Sequence, residues 1–349
     1  MAYSAIVKPS VNFNTKLYTG NYSSGHAITG VGFQPDFTWI KDRSDTSYYI
    51  MTDAVRGATK TINSNNNVAE ITNTEHLQSF NSDGFTVGQS NALNQNGISN
   101  VSWNWKGNGA GSANTDGTLN STVSVNTTAG FSIVSYTGNG NNTTVGHGLG
   151  TAPGMVIVKR RNSTGAWPVW HSKPASINEI VELNSTGAQQ NGSSYFNNSA
   201  TTASVFPLGT SGDVNASGGT YIAYCFAEKK GYSKISFYTG DGNANGPFCY
   251  TGFKPGFLLI KCTSHTGNWH LADNTRVGFN PWNYRLQPQD NNAEYQGSAI
   301  YSDFLSNGFN LRNSDTDTNG SGRTYMYIAI AEEPLVANSG TDGVPATAR

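Results

Sequence analysis

The chain has 349 residues, a formal net charge of −1 and only 12% charged residues. So weak a charge excludes the basic face that nucleic-acid binding requires, and no apolar run approaches the ~20 residues of a membrane-spanning helix. Forty glycines beside 16 Phe, 17 Tyr and 7 Trp describe an all-β chain, with turns set between aromatic strands.

In chain order, residues 16–18 read as a short strand and 20–25 as a polar turn. The stretch 30–41, GVGFQPDFTWIK, turns at Gln34-Pro35 and runs into an apolar strand that ends on Lys41. Residues 48–52 form a further strand, followed by Asp53, Ala54, Val55, Arg56 and Gly57. An Asn-rich loop covers 63–67, and a tight turn at 79–84 leads into a strand ending at Gly88. The strand VSWNWK (101–106) places Trp103 and Trp105 on one face by period-2 alternation. Residues 107–117 are the best linker candidate. Closing strands YIAYCFA (221–227) and YMYIAIA (325–331) end two further stretches, and align Trp103, Tyr224 and Ile328 at one inward position of a half-buried strand. The three cysteines, Cys225, Cys249 and Cys262, are too few for a disulfide framework and read as strand residues of a protein made in a reducing cytosol. The opening MAYSAIVKPS has no signal-peptide core.

The spacing is a repeat. Tyr18, Tyr136 and Tyr238 each precede a proline (Pro35, Pro153, Pro255) by 17 residues, and each proline precedes a lysine (Lys41, Lys159, Lys261) by 6. One unit is used three times at a domain-sized period. The expected architecture is three tandem antiparallel β-sandwich modules of jelly-roll or lectin-like type, each with its own core, at 1–110, 111–229 and 230–335, with a polar tail at 336–349 that a partner or another subunit would order.

Three groups of residues could carry chemistry. Asp53 and Arg56 recur as Asp273 and Arg276 at the same offset from the signature lysine, whereas the second module has no such pair. Each reads as a structural pair at a strand end, of the surface kind worth ~0–1 kcal/mol. Asp315, Asp317 and Asn319, ahead of Gly320, match the opening of a calcium loop, although position twelve is Met326 where such a loop needs Glu. Calcium is thus the one candidate cofactor. The six histidines lack zinc spacing, no nucleophile elbow or phosphate loop is present, and no acidic position is common to all three modules, so no catalytic residue is assigned. Trp167, Trp170 and His171, with Trp269 and His270 in the matching region of the third module, join aromatic faces to polar donors as sugar sites do; the first module has Tyr48 and Tyr49 there.

The stretches YTGN (18–21), GVGFQPDFTWIK (30–41), DAVRG (53–57), SFNSDGFTVG (79–88) and SWNWK (102–106) resemble a repeat family in virion structural proteins of marine phages that infect cyanobacteria and pelagic bacteria. The second module keeps FSIVSYTGNG and VGHGLGTAPGMVIVK but loses the D-x-V-R-G step; the third keeps the frame with more drift. The resemblance spans nearly the whole chain and implies a virion location without any catalytic residue. The expected function is a non-enzymatic virion surface protein (a tail fibre, appendage or capsid decoration) made in the host cytoplasm. Its modules would be spacers and adhesion platforms, and its partners other virion proteins and its own copies, for example as a trimer. A second reading is a lectin-like receptor-binding protein for host surface glycans, and a third a polysaccharide-trimming enzyme.

Overall fold

A computed structural model describes residues 4, 6–172, 178–297 and 302–334. The expected tail at 336–349 lies outside the described residues. Within them the chain is nearly all strand, with short helices only at Ser193–Phe196, Gly212–Asn215 and Asn274–Val277 and a single 3-10 turn at Pro9–Val11.

Each module repeats one antiparallel order: opening strand, closing strand, signature strand, following strand. In the first these are Phe13–Thr19, Ser99–Trp105, Phe37–Asp42 and Ile50–Asp53; in the second Phe131–Thr137, Thr220–Phe226, Met155–Arg160 and Pro168–His171; in the third Ser233–Thr239, Thr324–Pro334, Phe253–Cys262 and Trp269–Asp273. The register repeats as well. Trp39 pairs with Trp103, Ile157 with Tyr224 and Leu259 with Ile328. A smaller sheet covers one face of each main sheet, built on His26–Thr29, Gly84–Val87 and Leu77–Asn81 in the first module, Thr143–Gly146 and Val205–Leu208 in the second, and Phe248–Tyr250, Gly308–Leu311 and Ser302–Leu305 in the third. The three tyrosines that mark the repeat do one job: each hydroxyl donates across its module to a backbone carbonyl, Tyr18 to Leu93, Tyr136 to Val214 and Tyr238 to Thr318, at 2.6–2.8 Å.

The signature strands are buried on both faces, which accounts for their unbroken apolar sequence. Alternation sends one set of side chains into the sandwich: Ile40 joins Ile28, Phe85 and Leu77 of the small sheet, and Val156 and Val158 join Phe206 and Leu208. The other set leaves its own module. Phe37, Trp39, Trp103, Trp105, Met155, Ile157, Tyr224, Phe226, Phe257, Leu259 and Ile328 belong to one core that all three modules build together. The Phe37 ring stacks on Tyr224 of the second module at 4.3 Å, and Trp105 meets Phe257 of the third at 5.6 Å, edge to face. The void left at this junction is about 10 Å³, no larger than a water, so the centre is a plug and not a channel.

Three expectations are corrected here. The first two modules keep sandwich interiors of their own, but a further core joins all three modules, and the closing strands are not half-buried: the face carrying Trp103 and Trp105 looks at the neighbouring modules while the opposite face looks into the sandwich. The 107–117 stretch is not a free linker either. Gly107 N–H donates to Asp36, Asn108 N–H to Ser124, and Ser112–Asn114 adds a strand to the second module's sheet. At Gly111, φ is +81° and a Cβ would sit 2.7 Å from the Val123 backbone, so only glycine fits this join.

Candidate functional site

The charged and donor side chains that recur along the chain gather at the three seams between modules. At each seam two backbone hydrogen bonds cross. Gly165 N–H donates to Asn67 O and Glu70 N–H to Arg161 O between modules two and one. Ser47 donates to Asn291 and Glu294 to Arg43 between one and three, and Gly267 donates to Thr186 and Gln189 to Thr263 between three and two. The donors Ser47, Gly165 and Gly267 each lie six residues past a signature lysine. The contacts therefore close as a ring, in which one kind of seam is used three times.

The signature lysines sit in these seams. Each enters from a fully buried position. Lys159 Nζ donates to Asn67 O, Arg160 O and Gly165 O at 2.9–3.3 Å; Lys261 Nζ to Thr186 O and Gly267 O at 3.0 and 2.7 Å; Lys41 Nζ to Asp42 O and Asp45 O. Carbonyl oxygens thus hold the ammonium where water is excluded. Burial pulls each amine down, to about 8, against the carboxylates around Lys41, Cys262 and Asp317 beside Lys261, and Asp213 near Lys159, which all raise it.

The Asp–Arg pairs lie in two of the three seams and are fully buried, which corrects the surface-pair reading. Asp273 ends the following strand and caps the short helix Asn274–Val277 by accepting from the Thr275 and Arg276 N–H groups. Its second oxygen accepts from Arg276 Nε at 2.6 Å and from the Trp103 indole of the first module at 3.0 Å. Arg276 goes on to Glu294, which also binds Arg43 of the first module, both at 2.6 Å. The seam between modules one and two repeats this: Asp53 holds Arg56 and accepts from the Tyr224 hydroxyl at 2.8 Å, while Glu70 bridges Arg56 and Arg161. Burial alone would lower the two guanidinium groups and raise Glu70; the facing opposite charges reverse both, so Arg56 and Arg276 lie above and Glu70 below their ordinary values.

At the third seam the second module has His171 where its siblings have Asp53 and Asp273, and the closing-strand position that carries Trp103 or Tyr224 carries Ile328. The carboxylate and the donor that would face it are missing together. The His171 ring packs instead 4.9 Å from Phe237 of the third module.

The five residues expected to hold a glycan are buried: Trp167, His171 and Trp269 at 0%, Trp170 at 1% and His270 at 2% exposure. None offers a ring face to a ligand, so the sugar-site reading of these five is withdrawn. Trp167 and Trp269, eight residues past their lysines, are seam residues whose indoles donate to Asn66 O and Glu182 O of the neighbouring module. Trp170 fills the second sandwich.

The calcium candidate is likewise corrected to turn chemistry. Asn319 is the third copy of a buried asparagine whose siblings are Asn94 and Asn215; each amide donates to carbonyls of two loops and accepts one loop N–H. Asp317 accepts from both the backbone and the side chain of Asn268, with His270 Nε2 at 3.5 Å, and Asp315 accepts from the Asp317 N–H. Among the described residues no group of three or more His, Cys, Asp or Glu is arranged for a metal ion.

Glu70, Glu294, Arg43 and Arg161 escaped the reading of the sequence. Arg43 and Arg161 both lie two residues past a signature lysine, a signal that was available. The two glutamates stand at unequal distances from their Asp–Arg pairs, so only the fold brings them to matching places.

No helix among the described residues is long and apolar enough to cross a membrane. No curated protein matches the chain. A family model described as a domain of unknown function, DUF7483, matches residues 8–334, so its span takes in all three modules and the ring they close. The chain belongs to that family.

Proposed function

We propose that this chain is a non-enzymatic surface protein of a bacteriophage particle, a fibre, appendage or capsid-decoration component acting as a stiff spacer and adhesion platform. The observation that carries this reading is the closed ring of seams. Lys159, Lys261 and both buried Asp–Arg–Glu networks bond one module to the next, which is what a rigid block needs. The resemblance of the repeat to phage virion proteins supports the same reading. Three modules in one chain close the ring that a homotrimer of single modules would otherwise form, so its expected partners are other virion proteins and whole copies of the chain.

The test is quantitative mass spectrometry of purified particles together with antibody labelling in the electron microscope. The proposal expects a constant copy number and label on the particle surface. Absence of the chain from washed, infectious particles sinks it.

A further inference from the structure

The loop that follows each signature strand is closed onto the sandwich by an aspartate in the second and third modules. Asp213 Oδ1 accepts from the Ala166 N–H at 3.1 Å, and Asp317 Oδ1 from the Asn268 N–H at 3.0 Å. Ala166 and Asn268 lie seven residues past their lysines, and the aspartates two residues before the buried Asn215 and Asn319. By the same counts the first module has Tyr48 and, two before Asn94, Ala92. No carboxylate reaches the Tyr48 N–H from there. Where the sibling loops are fastened, the first module has an open cavity of about 280 Å³.

Tyr48 stands in this cavity half exposed, at 51%. The lining also includes Asn91, Gln95 and Asn291, the last from the third module, and the buried Asp42. Asp42 Oδ1 is held by the Ser44 and Asp45 N–H groups, and burial raises this carboxyl above its usual value. No lysine or arginine lines the space.

We propose that this cavity binds one neutral sugar ring. The tyrosine face suits the apolar C–H face of a pyranose, and the Asn91, Gln95 and Asn291 amides present donors and acceptors to its hydroxyls. The volume lies at the foot of the range for small-molecule pockets, roughly 300 Å³ and upward, which fits a single ring. With a carboxylate and no cation in the lining, phosphorylated or acidic sugars are disfavoured. The site rests on this geometry alone and does not depend on where the protein is carried.

Saturation-transfer NMR on the full chain with glucose, galactose, mannose, N-acetylglucosamine and glucuronate tests it. At least one neutral sugar should bind weakly, and glucuronate less than glucose. Tyr48→Ala should weaken that binding about tenfold. Ala92→Asp, which restores the sibling carboxylate, should close the cavity and abolish binding while the melting temperature holds or rises. Gln95→Ala gives a third arm should Tyr48→Ala fail to fold. No binding by any neutral sugar, binding that survives both Tyr48→Ala and Ala92→Asp in folded protein, or glucuronate bound as well as glucose overturns the proposal.

Discussion

Asp273, at the end of a strand in the third module, accepts a hydrogen bond at 3.0 Å from the indole of Trp103, on the closing strand of the first. Both side chains are fully buried, and the same carboxylate holds Arg276. One oxygen thus joins an ion pair within a module to a donor between modules. Asp273→Asn would leave the buried Arg276 guanidinium with Glu294 as its one remaining counter-charge, and breaking such a buried pair costs about 3–5 kcal/mol. Chemical denaturation should show a loss in that range, and Asp53→Asn a comparable one. A loss below about 1 kcal/mol, the surface-pair range, would show that the pair is not what holds the seam.

Trp39 packs into the shared core while its indole donates to Ser64 Oγ, whose own hydroxyl donates to Pro288 O in the third module. Trp39→Ala removes a large ring from a site where three modules converge and cannot collapse inward easily. It should cost about 3–5 kcal/mol and loosen the seam between modules one and three. Denaturant melts give the magnitude, and hydrogen exchange at the Ser47 and Glu294 amides reads the seam directly. Unchanged exchange there would confine the effect to the first module.

The repeat and the all-β class were legible because they rest on local pattern: period-2 alternation, glycine turns and the fixed Tyr–Pro–Lys spacing. What the pattern could not say was which neighbour a face meets. Trp103 alternates correctly for a sandwich interior, yet its partner is Asp273, 170 residues away. The tryptophan–histidine stretches misled for the same reason, since an indole donating to a carbonyl of the next module has the composition of one stacking on a sugar. Tyr48 is the converse case. It is an exposed aromatic beside Ala92, the position where the sibling modules have an aspartate, and neither residue carries a pattern that marks a site.

The buried lysines give the protein a pH signature of unusual sign. In the folded chain Lys41, Lys159 and Lys261 release their protons near pH 8, whereas the unfolded chain keeps them to about 10.5. Between those values the unfolded state binds more protons, so stability rises with pH. Above about 10 the trend reverses, because unfolded tyrosines ionise while buried Tyr18, Tyr136 and Tyr238 are held protonated. The melting temperature should therefore be higher near pH 9 than near pH 7. Lys261→Met should flatten part of this rise, while lowering stability at pH 7 through the loss of the ammonium's bonds to the carbonyls of Thr186 and Gly267. A melting temperature that falls steadily from pH 7 to 9 would mean the carbonyl cages hold the ammonium well past pH 8.

The shared core makes a prediction about the modules themselves. Residues 1–110 carry a complete sandwich interior, with Ile28, Ile40, Leu77 and Phe85 packed between two sheets. They also carry Phe37, Trp39, Trp103 and Trp105 on a face that only the other two modules cover. Produced alone, that segment would present a contiguous aromatic patch to water and leave Asp53 without Tyr224 and Glu70 without Arg161. It should not persist as a folded monomer. Light scattering after size exclusion should show association or aggregation, and near-UV circular dichroism should lose the fixed-aromatic signal if the sandwich loosens. Adding segments 111–229 and 230–335 in trans should recover soluble material, because the seam bonds that close the ring do not require chain continuity. A monodisperse folded monomer of 1–110, with its tryptophans emitting as in the intact chain, would mean the central core is dispensable to the modules. The ring would then be a docking of independent domains and not a single fold.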